Sequence, residues 1–248
     1  MRTFLTVGST VGSYTLSSTS GDTSTLRALV KDKLREELIV RPAREEDMKG
    51  IFELVKSAQL KGADIQARAL DRKGLGRSIG EGGLFSDYTG RKQKRMDEFR
   101  MLLGTPYLLV AMKGDEMVGF MAGFPGDKIN LTRDGKEKGD WKDSVNWFKT
   151  PDKTKNYVVG DPLVVARGYR KRGVGEALFR AMLQNCVRNG IDEFHGEIVT
   201  EPVSNPAAIG ILRRLGFTET GKTTLTLKIE GVDEPMKFGA KVFTIKTR

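Results

Sequence analysis

The sequence predicts a mixed α/β fold, and three observations support this fold class. Two apolar runs flank the short polar turn at residues 113–116, which is typical of a β-hairpin. The apolar run at 163–165 is followed by a glycine-containing turn and then by apolar residues at helical spacing, which predicts a strand, a turn and a helix. The tail alternates polar and apolar residues over 224–229 and 241–247, which predicts two antiparallel strands.

Composition narrows the class of protein but selects no single partner. The chain has 248 residues, 38% of them hydrophobic and 30% charged, which suits a soluble globular protein. No apolar stretch approaches the roughly 20 residues that span a bilayer, so we expect no membrane insertion. The formal net charge of +10 favours polyanionic surroundings, such as a nucleotide cofactor, an acidic substrate, a ribosome or a membrane surface.

Cysteine and histidine are too scarce for two common kinds of site. A single cysteine, Cys186, excludes an intrachain disulfide and gives no sign of an oxidising compartment, so we expect a cytoplasmic protein. One histidine and one cysteine cannot form a zinc site of the usual kind, and we expect no metal. Cys186 lies among apolar residues at helical spacing and is expected to be a small core residue rather than a nucleophile.

The first 36 residues are expected to precede the main domain, which we place at 37–248. Residues 1–25 are rich in Ser and Thr and contain no acidic residue before Asp22. This composition indicates an extension, with an organellar transit segment as the alternative. Apolar residues at helical spacing between Leu26 and Glu37 predict a short helix that leads into the domain.

Two long insertions interrupt the main domain, at about 58–104 and 124–155. The first is glycine-rich and carries the basic cluster 91–95, followed by helical spacing that leads to Tyr107. We expect the cluster to be a solvated face, with contact to nucleic acid or a ribonucleoprotein as the less supported alternative. The second insertion carries three aromatic residues that either anchor it to the body or wall a substrate pocket, namely Trp141, Trp147 and Phe148.

The turn at 170–175, with the sequence Arg-Lys-Arg-Gly-Val-Gly, has the properties of an anion-binding site. Gly173 and Gly175 lack a Cβ atom, so the backbone can approach a ligand closely and adopt positive φ. The first amides of the helix that follows have no intrahelical partner and lie at the positive end of its dipole. A phosphate at this position would receive several charge-assisted hydrogen bonds, each about 1.5–3 kcal/mol.

Spacing excludes two common phosphate-binding motifs. A P-loop needs a lysine followed by Ser or Thr after its second glycine, and neither glycine here has one. A dinucleotide-binding fingerprint needs a third glycine where Leu178 stands.

Three segments together resemble the GNAT superfamily of N-acetyltransferases. The turn at 170–175 matches the pattern [Q/R]-x-x-G-x-[G/A], and residues 205–217 resemble the family element N-x-x-A-I-x-L-Y-x-x-x-G-F. In physical terms Asn205 is a good N-cap, Pro206 suits the first helical position, and Gly216 suits a C-terminal cap. Residues 38–47 resemble the family's first strand and the acidic start of its first helix. The resemblance covers about 37–57 and 105–230.

This resemblance implies a fold and a cosubstrate. The fold would be a GNAT-like mixed, mostly antiparallel central sheet that splays at the cofactor strand, with helices on both faces. The cosubstrate would be acetyl-CoA or another acyl-CoA. The residues that would bind it are Leu163, Val164 and Val165 along the pantetheine, Arg170, Lys171, Arg172, Gly173, Val174, Gly175 and Glu176 around the diphosphate, and Asn205 beside the pantetheine arm.

The resemblance further implies N-acyl transfer to a primary amine by direct attack. An amine with a pKa near 10 must lose a proton first, and Asp161 and Glu197 are the candidate bases. Glu201 is a further carboxylate, and His195 lies on the same strand face as Glu197 but is expected to be structural.

One residue departs from the family pattern. Leu212 stands where many members have a Tyr that protonates the leaving thiolate. The alternative function is therefore a non-catalytic GNAT-fold subunit that binds acyl-CoA or belongs to a larger, possibly ribonucleoprotein, assembly.

Overall fold

A nine-stranded sheet forms the centre of the protein, described by a computed structural model at residues 16–17, 26–29, 37–60, 84–85, 92–126, 156–201, 205–227 and 236–247. The strands are β1 (Leu16–Ser17), β2 (Leu26–Leu29), β3 (Glu37–Pro42), β4 (Gln59–Leu60), β5 (Leu84–Phe85), β6 (Leu108–Lys113), β7 (Glu116–Pro125), β8 (Tyr157–Val165), β9 (Glu193–Glu201), β10 (Thr218–Leu227) and β11 (Met236–Lys246). The helices are α1 (Met48–Ser57), α2 (Lys92–Arg100), α3 (Val174–Arg188) and α4 (Pro206–Arg214).

The strand order is β1-β2-β3-β6-β7-β8-β9-β11-β10, and β4 and β5 form a separate parallel pair. Every neighbouring pair in the large sheet is antiparallel except β8 and β9. The expected mixed, mostly antiparallel sheet is confirmed, as are the hairpin of β6 and β7 and the tail strands β10 and β11.

The prediction of a helix between Leu26 and Glu37 is wrong for the first residues of this segment. Residues Leu26–Leu29 form β2, which pairs antiparallel with Glu37–Val40 of β3. Leu26 and Leu29 fit helical spacing, but so short a run also permits a strand, and pairing with β3 satisfies its backbone.

Helices cover both faces of the sheet, as expected. On one face α3 packs through Leu178 and Met182 onto a core that includes Leu109, Met121 and Phe194. On the other face α1 and α2 pack through Ile51 and Phe99 onto Leu108, Val110 and Phe120. Within the described ranges no helix is both long and apolar enough to cross a bilayer. Trp141, Trp147 and Phe148, and most of both insertions, lie outside the described residues.

The sheet opens between its only parallel pair of strands. β8 and β9 pair from Tyr157 and Glu193 up to Gly160 and Gly196, and the pairing ends there. β8 continues along β7 to Val165, whereas β9 continues along β11 to Glu201. The predicted splay is therefore present beside residues 163–165.

A bulge in β8 accompanies this opening. Met121 pairs with Leu163 and Gly123 with Gly160, so Asp161 and Pro162 together oppose one residue of β7. A bulge of this kind bends the strand that carries the extra residue. It therefore helps to direct β8 away from β9.

Candidate active site at the opening of the sheet

The turn between β8 and α3 has the backbone geometry of an anion-binding site. Gly173 has φ +86° and forms the N-cap of α3, as its glycine predicts. Lys171 also has positive φ, at +61°, in a region that side chains other than glycine seldom adopt. No pattern of residues indicates that conformation of Lys171, because a lysine in a basic turn has no preference for it.

The first amides of α3 meet no acceptor in the part of the chain that the structure describes. The first backbone bond into the helix runs from the Ala177 amide to the Gly173 carbonyl, at 2.9 Å. Among the described residues, no backbone or side-chain acceptor meets the amides of Val174, Gly175 and Glu176. These N–H groups carry the positive end of the helix dipole, so they can bind a diphosphate.

Gly175 contributes through close packing and not through positive φ. It is buried in the first turn of α3, where a Cβ atom would lie 3.5 Å from Leu163, 3.6 Å from Ile211 and 3.7 Å from Val165. The glycine therefore lies where β8, α3 and α4 converge at the edge of the gap. The expectation of positive φ holds for Gly173 but not for Gly175.

The basic side chains of the turn have different environments. Arg170 donates from Nε to the Val165 carbonyl at 3.1 Å, so it fastens the turn to the end of β8. Lys171 and Arg172 are exposed, and the Arg172 guanidinium lies over the ring of Tyr169, 5.8 Å from its centroid. Arg170 thus has a structural bond, and the other two cations remain accessible to an anion.

Glu176 is buried, and its carboxylate is held by two arginines. Oε1 accepts from Arg180 at 2.8 Å, and Oε2 accepts from Arg214 of α4 at 3.2 Å. The Arg214 bond ties the first turn of α3 to the end of α4. The backbone amide of Glu176 could therefore make the predicted contact with a cofactor, because the side chain is already bound to Arg180 and Arg214.

Asn205 caps α4 as predicted. Its side-chain oxygen accepts from the Ala208 amide at 3.1 Å, and Pro206 occupies the first helical position. The cap fixes the start of α4 beside the gap. The Asn205 amide nitrogen has no acceptor within the described part of the chain, so it remains available to a ligand.

Asp161 and Glu197 lie where the two strands separate. Asp161 is in the bulge of β8, and Glu197 directly follows the last residue of β9 that pairs with β8. Both carboxyl oxygens of Glu197 are shielded from solvent, and no described residue hydrogen-bonds them. Burial, with a smaller contribution from the charge of Asp161, raises the pKa of Glu197 to about 8.

The side chain of Glu197 points away from α3 and α4. Alternation along β9 places it on the face of His195, opposite Phe194, whose ring packs against Phe179 of α3 with centroids 6.2 Å apart. His195 is buried, its Nδ1 is 3.0 Å from the Thr244 hydroxyl, and its ring packs edge-to-face on Tyr157. His195 is thus built into the sheet, as expected.

Three further residues bear on the chemistry. Leu212 is fully buried, and its Cδ1 lies 3.9 Å from a Cβ built on Gly196, so α4 presents no proton donor at that position. Cys186 is fully buried, and burial raises the pKa of its thiol to about 12, which argues against a nucleophile. Glu201 is exposed at the far end of β9, four residues from Glu197.

The protein therefore combines a splayed α/β sheet with a helix that begins in the geometry of an anion-binding site. A model of the acetyltransferase (GNAT) family matches residues 83–217, more than half of the sequence. The chain belongs to this family, which confirms the resemblance. No curated protein matches the sequence.

Solved structures agree on the fold. The yncA protein of Salmonella typhimurium, described as a candidate acetyltransferase with its cofactor acetyl-CoA, superposes with a TM-score of 0.51 at 18% identity, over 85% of this chain and 94% of that one. A candidate acetyltransferase of the GNAT family from Desulfovibrio desulfuricans superposes with a TM-score of 0.53 at 13% identity, over 85% and 99%. A candidate phosphinothricin N-acetyltransferase gives 0.53 at 15% identity, with the same coverage.

Proposed function

We propose that the protein transfers an acetyl group from acetyl-CoA to a primary amine by direct attack of the amine. One observation carries the proposal: the sheet opens after Gly160 and Gly196, directly beside helix amides that have no protein acceptor among the described residues. A long ligand with a diphosphate in its middle fits this arrangement, since the diphosphate can bind the helix start while the arm enters the gap.

The residues present fit acetyl-CoA. The amides of Val174, Gly175 and Glu176 would bind the diphosphate, with positive charge from Lys171. The edge of β8 at 163–165 faces the gap, because β7 occupies only its other side. Its backbone would hydrogen-bond the pantetheine amides as a neighbouring strand does, and the Asn205 amide would reach the same arm.

Glu197 is the proposed general base. An ammonium that enters the gap would bring a positive charge to the Glu197 carboxyl, which favours the ionised form of that acid. The Glu197 carboxylate then accepts a proton from the ammonium, and the neutral amine attacks the thioester carbonyl. The new N–C bond forms as the C–S bond breaks, and the thiolate leaves with the sulfur electron pair.

The leaving thiolate can be protonated without a tyrosine. After it accepts the first proton, Glu197 is neutral, and the amide nitrogen loses a second proton to solvent as the product forms. Solvent or the Glu197 carboxyl can supply one proton to the thiolate, whose pKa is modest. Cys186 has no part in this scheme, in keeping with direct attack rather than an acyl-cysteine.

The second candidate is a non-catalytic GNAT-fold subunit that binds acyl-CoA or has a structural role in a larger, possibly ribonucleoprotein, assembly. Two observations favour this candidate. Leu212 lies in the core at a position where many family members have a tyrosine, and the net charge of the chain is +10. The α3 amides, which meet no acceptor among the described residues, count against a purely structural subunit, because a protein that has lost its ligand has no need of them. The acceptor amine is open: a protein N-terminus, a lysine, a polyamine or an aminoglycoside.

The test begins with thermal unfolding in coenzyme A. At 100 times its Kd the ligand should stabilise the wild type by about 2.7 kcal/mol. The Gly173→Glu variant should lose this effect. The position requires a positive φ, which residues with a side chain disfavour, and the carboxylate adds a negative charge to the proposed anion site. Gly104→Glu is the matched control: Gly104 also has positive φ, at +73°, and nothing lies within 4 Å of its Cβ position.

Turnover then separates the two candidates. Thiol release from acetyl-CoA is measured with an N-terminal peptide, a lysine peptide, spermidine and an aminoglycoside. Binding with turnover of any one supports the proposed transferase. Binding without turnover of any would favour the non-catalytic subunit that binds acyl-CoA. Absence of binding by the wild type would refute the transferase and leave only the structural subunit.

A further inference from the structure

We propose that Lys113 and Arg172, held on the ring of Tyr169, bind the 3′-phosphate of the coenzyme A adenosine, with Tyr169 as a positioning residue. The inference rests on the proposed function, because it assumes that the diphosphate binds at the start of α3. It concerns the end of the cosubstrate that is farthest from the thioester.

Tyr169 is fixed by the neighbouring hairpin. It lies in a short 3-10 turn between β8 and the anion-binding turn, and its hydroxyl donates to Glu116 Oε2 at 2.6 Å. The hydrogen bond to Glu116 raises the pKa of Tyr169, so the hydroxyl stays protonated and can donate. Its amide donates to the Ala166 carbonyl at 2.9 Å, which fixes the other end of the residue.

Two cations share this ring. The Lys113 ammonium lies 5.2 Å from the ring centroid and the Arg172 guanidinium lies 5.8 Å from it, both within cation–π range. Lys113 ends β6 and Arg172 belongs to the turn after β8, so the ring joins cations from separate parts of the chain. Glu116 supplies one negative charge against these two positive ones.

The position of the Tyr169 ring indicates which part of coenzyme A would lie near Lys113 and Arg172. β8 has the gap on its β9 side, whereas Tyr169 contacts Glu116 of β7 and Lys113 of β6 on the opposite side. A ligand that leaves the gap and crosses the start of α3 would continue toward this ring. Arg172 is therefore placed for a group beyond the diphosphate.

The charge of that group matches the cluster. A phosphate monoester carries about −1.5 to −2 charge at pH 7, more than one cation neutralises. The diphosphate can be satisfied by backbone amides, but a monoester outside the helix start needs cationic side chains. The Tyr169 ring already contacts both the Arg172 and the Lys113 side chains, so each side chain loses less entropy when it binds an anion.

The experiment compares the Kd of coenzyme A with that of dephospho-coenzyme A by calorimetry. The wild type should prefer coenzyme A by about tenfold or more, as expected for charge-assisted contacts. Lys113→Gln and Arg172→Gln should each reduce this ratio several-fold. Tyr169→Leu should also reduce it, although it removes no charge, and Tyr169→Phe, which keeps the ring, should retain more of it.

Lys171→Gln is the matched control. It removes one positive charge from the same turn, but Lys171 is not on the ring, so it should weaken both ligands alike and preserve the ratio. An unchanged ratio in Lys113→Gln and Arg172→Gln would overturn the inference, as would equal binding of both ligands by the wild type. Failure of the wild type to bind either ligand would instead refute the proposed function.

Discussion

The two sides of the opening in the sheet obtain their chemistry from different atoms. On the α3 side, the proposed anion site consists of backbone amides that follow the φ of +86° at Gly173, and amides do not titrate. On the β9 side, the proposed chemistry depends on Glu197, whose protonation is set by burial and by the charge of Asp161. The charge of the backbone amides on the α3 side does not change with pH. The protonation of Glu197 on the β9 side depends on pH and on the residues that shield its carboxyl group.

This difference predicts separable effects of mutation. Changes on the α3 side should alter the affinity for the cosubstrate and leave the pH profile in place. Changes on the β9 side should alter turnover and its pH dependence and leave cosubstrate affinity nearly unchanged.

The largest effect is expected for Glu197→Gln. Loss of a general base should lower kcat by about 100-fold or more, with little change in the Kd of coenzyme A. Steady-state kinetics and calorimetry measure the two quantities. Glu201→Gln, on the same strand and exposed, is the control that should retain activity. A decrease of less than about tenfold for Glu197→Gln would exclude Glu197 as the base.

A smaller effect is expected for Asp161→Asn. Removal of its charge should lower the pKa of Glu197, so the rise of kcat/KM with pH should move to lower pH while the rate at its plateau changes less than tenfold. The pKa of the free amine is a property of the substrate and cannot produce a shift between variants. An unmoved profile would mean that Asp161 does not act on Glu197, and a 100-fold decrease would make Asp161 the base.

The smallest effect is on stability. Because the folded state holds the Glu197 proton up to a pH of about 8 and the unfolded chain only to about 4.5, the unfolding free energy should fall as pH rises across this interval. The limiting slope for one proton is about 1.4 kcal/mol per pH unit. Urea unfolding of the wild type and Glu197→Gln at several pH values should give a difference that grows with pH. Parallel curves would contradict a raised pKa.

Features that depend only on neighbouring residues in the chain are predicted best from the sequence. The cap at Asn205, the positive φ of Gly173 and the hairpin turn each follow from a few adjacent residues. β2 was missed because its pairing with β3 is not local. The positive φ of Lys171, the Arg214 bond to Glu176 and the contacts of Tyr169 also needed the structure, since each joins parts of the chain that no spacing rule connects.

The candidate acids illustrate the same limit. The strand faces of Asp161 and Glu197 could be considered from alternation, but the pKa of Glu197 depends on how fully its oxygens are shielded. No pattern in the sequence reports that shielding. The candidate residues could therefore be named from the sequence, whereas the protonation of Glu197 could not be predicted.

The bulge at Asp161 and Pro162 has an effect beyond bending β8: it inverts the in-and-out order of side chains along the strand. Before it, Val158 belongs to the core under α3; after it, Leu163 and Val165 pack against Gly175 of α3, and Val164 joins the core under α1. Simple alternation from Val158 would place Leu163 and Val165 on the α1 side. Deletion of one residue here would therefore exchange the environments of three side chains at once, at the point where the strand would meet the proposed cosubstrate.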